Sequence, residues 1–205
     1  MIYIVKALSH ILSWMPVCFL KLICDVFGCI IYHALPARRT VALRNLHHCF
    51  PQKTEAQRVS IFKEHCRRLV EMALSVIILP TISEKRAKSM FEAPDEATLK
   101  KAADIQRNGA AITLTPHFTL SELVNAAPIH FPTLKNKASV IFRPLNDPKL
   151  NEWVTNSRSR FGVELLSRRN GYNQALRRLE EGNVVGILFD QNAAGKGSMI
   201  HFFNR

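Results

Sequence analysis

His117 and Glu122 stand five positions apart, and the histidine follows the apolar run Ala110-Ala111-Ile112-Thr113-Leu114-Thr115-Pro116. A histidine held by a carboxylate can take a proton from a hydroxyl near neutral pH. That is the chemistry of a transferase or hydrolase acting on an alcohol or an ester. Among the eight histidines this His-x4-Asp/Glu spacing occurs once. Glu122 also has a purely local reading. Thr119-Leu-Ser-Glu122 fits a capping box, with Thr119 as N-cap and Glu122 reaching back to the backbone. Ser121 is the nearest hydroxyl nucleophile, but it sits on a helix start and not on a Gly-x-Ser-x-Gly elbow.

The elements around the pair favour the chemical reading. Apolar runs of strand length fall at 110–115, 139–142, 163–166 and 184–189. Helical stretches separate them, at 119–127 before Pro128, at 148–161 and at 172–181. The second has Asp147 as N-cap, Pro148 at the first helical position and Gly162 beyond its end. Strands alternating with helices predict an α/β fold with a mixed, largely parallel sheet flanked by helices. In open α/β sheets chemistry gathers outside the carboxyl ends of the strands. Thr115-Pro116-His117, Phe142-Arg143-Pro144 and Phe189-Asp190-Gln191 each begin where such a strand stops. Asp190 is expected either to pair with Arg143 or to orient the site. Gly195-Lys196-Gly197 reads as a flexible turn, or as backbone donors for a phosphate.

The first part of the chain is different. Residues 1–35 are strongly apolar, interrupted by Pro16, Lys21 and Asp25. They are expected to form a helical membrane-associating segment, with residues 36–205 as the main domain. Three arrangements are open: a membrane-embedded anchor, an interfacial helical hairpin, or a buried packing helix. Arg38, Arg39 and Arg44 follow at once, which suits a cytoplasmic flank. A short basic helix at 38–50 should end at Pro51. Thr54-x-x-Gln57 predicts a capping box for a long helix carrying Phe62, Cys66, Leu69, Val70, Ala73, Leu74 and Ile77, stopped by Pro80. Residues 81–99 read as a polar link to the sheet.

Net charge is +12 over 205 residues, so the chain should seek polyanions. A nucleic-acid partner is disfavoured, because there is no RNP-like aromatic run and no zinc-finger spacing. A basic polyanion-binding protein with a structural His–Glu pair is the reading that remains in that class. Five cysteines at 18, 24, 29, 49 and 66, without Cys-x-x-Cys, fit a reducing compartment. His47-His48-Cys49 and His65-Cys66 match no standard zinc spacing.

Four blocks in order resemble one family. They are Arg38-Arg39-x4-Arg44-Asn45-Leu46 with Phe50-Pro51; His117-x4-Glu122; Phe142-Arg143-Pro144-Leu145 with Asn146 and Pro148-Lys149-Leu150; and Gly186-Ile187-Leu188-Phe189-Asp190-Gln191 with Gly197 and Phe202-Phe203. Together they resemble the bacterial lipid A lauroyl/myristoyl acyltransferases of the lysophospholipid acyltransferase superfamily. The family's motif commonly reads His-Phe-Gly-x-Trp-Glu, and here Thr119 and Ser121 replace the glycine and tryptophan. Family members also continue further, so the chain is expected to be a truncated member. A catalytically inert membrane-associated remnant is the alternative.

The resemblance implies transfer of a fatty acyl chain from a thioester, on acyl carrier protein or coenzyme A, to a hydroxyl of a lipid A precursor. A lysophospholipid or a mannoside glycolipid is the competing acceptor. His117 would be the general base, and Glu122 would hold its tautomer. Arg143, Asp190 and Gln191 would bind substrate, with Arg143 serving the oxyanion or a phosphate. No cofactor and no metal is implied. The place of action would be an anionic membrane surface, the cytoplasmic face of the bacterial inner membrane.

Overall fold

The structure is a computed structural model that describes residues 2–90, 94–107, 109–117 and 121–190. The chain falls into two compact units. One holds Met1–Trp14 with Ser75–Asp190, and the other holds Met15–Leu74 among its described residues.

The larger unit is built on four strands, β1 (Ala111–Thr115), β2 (Ala138–Phe142), β3 (Val163–Ser167) and β4 (Val184–Leu188). They form one sheet in the order β1-β4-β2-β3, every pair parallel. The predicted α/β architecture is therefore present. The last strand inserts between β1 and β2, so the ends of distant chain segments become neighbours. Thr115 is in register with Leu188, which sets whatever follows each strand side by side.

Helix α7 (Pro148–Ser159) packs on β3, and helix α8 (Gly171–Glu180) packs on β2, β3 and β4. The core between α8 and the sheet is Leu166, Ala175 and Val185, with Ile141, Leu179 and Ile187 against it. Helix α7 starts as the sequence reading had it. The Asp147 side chain accepts from the Leu150 N–H at 2.9 Å, and Pro148 opens the helix. Its exit is Gly162 at φ +88°, whose carbonyl accepts from Asn136 N–H at 2.8 Å.

Two local expectations change. The segment after His117 is a 3₁₀ helix, Ser121–Ile129, and it runs through Pro128 instead of stopping there. The stretch 81–99 is also not a plain link. It contains helix α5 (Glu84–Met90) and the start of helix α6 (Glu96–Arg107), the latter with the Asp95 carboxylate accepting from Thr98 N–H at 2.6 Å. Arg160 stitches this unit further, donating to the carbonyls of Leu79 and Ile82 at 2.9 Å each.

Helix α1 (Ile2–Trp14) belongs to the larger unit. Its inner side is polar as well as apolar: Ser9 is fully buried and donates to the carbonyl of Ile77 at 2.5 Å. Its outer side shows Tyr3, Ile4, Leu8, Ile11 and Trp14.

The smaller unit consists of α2 (Val17–Ala34), α3 (Pro36–Cys49) and most of α4 (Glu55–Ile78). The proline at position 16 separates α1 from α2. Helix α2 buries only the stripe Leu20, Cys24 and Gly28. At Gly28 a Cβ would come within 2.8 Å of Arg67 Cα, so the glycine lets α2 lie directly on the α4 backbone. The rest of α2 exposes Val17, Phe19, Leu22, Val26, Phe27 and Ile30. It is long and apolar enough to cross a membrane, with mean hydropathy 1.8. The capping box at α4 forms as read. Thr54 N–H donates to Gln57 Oε1 at 2.9 Å, and Gln57 N–H donates back to Thr54 Oγ1 at 3.3 Å. Phe62, Cys66 and Val70 are the buried stripe of α4, while Leu69 faces out.

Candidate functional site

β1 and β4 are parallel neighbours, and His117 and Asp190 each lie two residues past the matched pair Thr115 and Leu188. The register alone thus brings them together at the carboxyl edge of the sheet. The imidazole Nδ1 lies 2.6 Å from Asp190 Oδ1, and the His117 backbone N–H donates to Asp190 Oδ2 at 2.7 Å. One carboxylate holds one histidine twice, once by its ring and once by its main chain. This fixes both the position of the residue and the direction of the ring.

An ionised aspartate only accepts, so Nδ1 carries the hydrogen and the Nε2 lone pair is the basic one. The hydrogen bond from the His117 ring, and then that from its backbone, hold the Asp190 carboxyl below the usual range. The aspartate therefore stays charged through the neutral range and can stabilise an imidazolium. Both side chains are about one-third exposed, at 30% and 34%, so the pair is open to an incoming molecule.

Glu122 goes elsewhere. Its two carboxylate oxygens are gripped by the guanidinium fork of Arg158 on α7, with Nε to Oε2 at 2.8 Å and Nη2 to Oε1 shorter still. The pair is mostly buried, with side chains 22% and 15% exposed. Sequence reasoning assigned the tautomer-holding role to Glu122, whereas the geometry gives Nδ1 to Asp190. The reason is topological. Glu122 is near His117 in sequence, but Asp190 is brought opposite by the insertion of β4 beside β1. The Asn125 amide donates to the Glu122 carbonyl at 2.9 Å, which further ties the 3₁₀ helix together. The Thr119 half of the expected capping box lies outside the described residues.

Arg143 follows β2, the strand on the other side of β4. It is exposed and has no ion-pair partner among the described residues. Of the two arrangements expected for Asp190, pairing with Arg143 or orienting the site, its contacts are with His117 and not with Arg143 among the described residues. Gln191 and the Gly195–Gly197 turn lie outside the described residues. Arg158 was missed in the sequence reading. Its signal was its place four residues after Val154, on the inward side of α7, where a basic residue needs a partner. Among the described residues no three His, Cys, Asp or Glu side chains converge as a metal site.

The arrangement is a histidine held by a carboxylate at the carboxyl edge of a parallel sheet. It can deprotonate a hydroxyl and stabilise the charge that follows.

Comparison with known proteins identifies a family. The family described as bacterial lipid A biosynthesis acyltransferase matches residues 1–205. A Haemophilus influenzae protein named lipid A biosynthesis acyltransferase is 24% identical over 202 residues, covering 93% of this chain and 62% of that protein. An Escherichia coli K12 protein named lipid A biosynthesis palmitoleoyltransferase is 27% identical over 165 residues, covering 80% of this chain and 51% of its own. A Shigella flexneri protein named lipid A biosynthesis acyltransferase matches with the same identity and coverage. The chain spans between 51% and 62% of the length of these relatives.

Proposed function

Because the chain belongs to the bacterial lipid A biosynthesis acyltransferases, we propose that it moves a fatty acyl chain from a thioester donor to a hydroxyl of a lipid A precursor. The observation that carries this is the His117–Asp190 contact at the strand ends. The acceptor hydroxyl gives its proton to His117 Nε2 while its oxygen attacks the thioester carbonyl. Asp190 offsets the charge of the imidazolium. The C–S bond then breaks, and the imidazolium returns the proton to the leaving thiolate. The products are the new ester and the free thiol, and His117 is neutral again.

Arg143 is the proposed donor to the oxyanion of the tetrahedral intermediate, or to a phosphate on the acceptor. Glu122, fixed by Arg158, is assigned to anchoring the 3₁₀ helix Ser121–Ile129 that follows His117 in sequence. Gln191, next to Asp190, is assigned to substrate binding. The donor is acyl carrier protein or acyl-coenzyme A, both anionic and suited to a chain of net charge +12. The work is assigned to the cytoplasmic face of the bacterial inner membrane, next to which the exposed apolar side of α2 would lie.

The test is acyl transfer from a radiolabelled acyl thioester to a lipid A precursor in isolated membranes. His117→Ala should lower turnover by ~10²–10⁴-fold, the usual worth of a positioned base. Circular dichroism should show the fold retained. Turnover at the parent rate would remove His117 from the mechanism.

A further inference from the structure

The smaller unit carries a second constellation, away from the chemistry of His117. Arg39 of α3 and Lys63 of α4 converge on one ring. The Arg39 guanidinium carbon is 5.2 Å from the Tyr32 centroid, and Lys63 Nζ is 5.1 Å from it. Three of the four acids in residues 15–74 are engaged on other cations, Asp25 and Glu64 on Arg67 and Glu71 on Arg68, and the fourth, Glu55, opens α4. Among the described residues no carboxylate pairs with Arg39 or Lys63. Two like charges held on one aromatic ring repel each other, and an anion between them relieves that cost.

There is room for one. A cavity of about 330 Å³ opens between α2 and α4, with Tyr32, Ser60 and Lys63 in its wall beside Asp25, Glu64 and Arg67, whose charges are engaged with one another. Ser60 and Lys63 in that wall, and Arg39 over the Tyr32 ring outside it, are donors that a phosphate takes. The apolar surface beside it names the source of that phosphate. Val26, Phe27 and Ile30 are exposed on α2 just before Tyr32, so apolar surface and the Arg39–Lys63 cluster adjoin along one helix. This is the pattern of an interfacial helix, with apolar side chains in the acyl region and basic ones at the headgroups.

We propose that Arg39 and Lys63, gathered on Tyr32, form a site for the phosphate of an anionic phospholipid headgroup, with the outer face of α2 lying in the same leaflet. The proposal rests on the reading of this chain as membrane-associated and adds the residues and the lipid class. Helix α2 carries Lys21 and Asp25 within its 18 residues, which fits a helix lying at the interface better than one crossing the bilayer.

The experiment is vesicle flotation of the full chain with phosphatidylglycerol vesicles and, separately, phosphatidylcholine vesicles. The parent chain should bind the anionic vesicles more tightly. Arg39→Gln with Lys63→Gln should weaken that binding about thirtyfold, at ~1 kcal/mol per basic residue near an anionic surface. Binding to phosphatidylcholine should not change. Lys100→Gln with Lys101→Gln, on α6, removes the same charge and should leave anionic binding within twofold of the parent. Equal losses in the two double variants would reduce the effect to net charge and overturn the site. So would parent-like binding by the Arg39/Lys63 variant. Equal binding of the parent chain to both vesicle types would overturn the site while membrane association stands. Binding to neither would remove membrane association itself. If the double variant fails to fold, Lys63→Gln alone, an exposed change, should still lose about fivefold.

Discussion

Asp190 is worth more to this site than its exposure suggests, because it accepts two hydrogen bonds from a single residue. Asparagine at 190 keeps the shape and offers one oxygen and one donor, so it favours the wrong imidazole tautomer. Asp190→Asn should therefore lower acyl transfer by up to ~10⁴-fold, the scale of such a tautomer error. The same bond has a pH signature. The folded-state carboxyl sits below its ordinary value, so its contribution to stability is complete above about pH 4 and fades as pH falls through the lower folded value. Urea unfolding of parent and Asp190→Asn should differ at neutral pH and converge in acid. A gap that widens below pH 4 would contradict the assignment. Glu122 and Arg158 call for another measurement. Removing the arginine alone strands a mostly buried carboxylate, so Arg158→Leu should destabilise more than Arg158→Leu combined with Glu122→Gln. The double-mutant cycle should give a coupling of ~1–3 kcal/mol. Strict additivity would mean that the fork contributes only shape.

At the scale of elements, what was legible in the sequence was whatever is decided locally. Asp147-Pro148 opens α7 and Thr54-x-x-Gln57 opens α4, since a cap needs only residues within one turn. The four strands were legible as short apolar runs. Their order was not, because hydrophobic spacing carries no information about which strand lies beside which. That gap bears on the site. Asp190 was identified at a strand end, but its partner depended on β4 pairing with β1. The spacing predicts a helix over 119–127, whereas the 3₁₀ form and its passage through Pro128 carry no local signal. Helix exits can be tested directly. Gly162 and Gly182 both have positive φ, at +88° and +77°. An added Cβ meets nothing within 4 Å at Gly182, but at Gly162 it would lie 2.8 Å from Lys135 Cγ and 3.2 Å from Asn136 N. Gly182→Ala should cost ~1 kcal/mol from backbone strain alone. Gly162→Ala should cost more, ~2 kcal/mol, with crowding added. Equal urea midpoints for the two variants would show that the Lys135–Asn136 turn yields freely.

For the molecule as a whole, the decisive quantity is where charge and apolar surface fall relative to each other. Net charge is +12, and the acids of the α2–α3–α4 unit are largely consumed by Arg67 and Arg68. Arg38, Arg39, Arg44, Arg58 and Lys63 therefore follow or flank the end of an apolar helix with no carboxylate paired to them among the described residues. A helix that crosses a bilayer is held by hydrocarbon burial over ~30 Å and resists every aqueous wash. An interfacial helix is held by a shallower apolar face plus headgroup attraction, and the second part is screened once the Debye length falls to ~3 Å at 1 M salt. Extraction of membranes containing the full chain separates the two. Salt at 1 M should release part of the protein, and alkaline carbonate should release most of the rest. Retention through both, with release by detergent alone, would make α2 a crossing helix. The Arg39–Tyr32–Lys63 cluster would then act as its cytoplasmic stop and not as a lipid-binding floor.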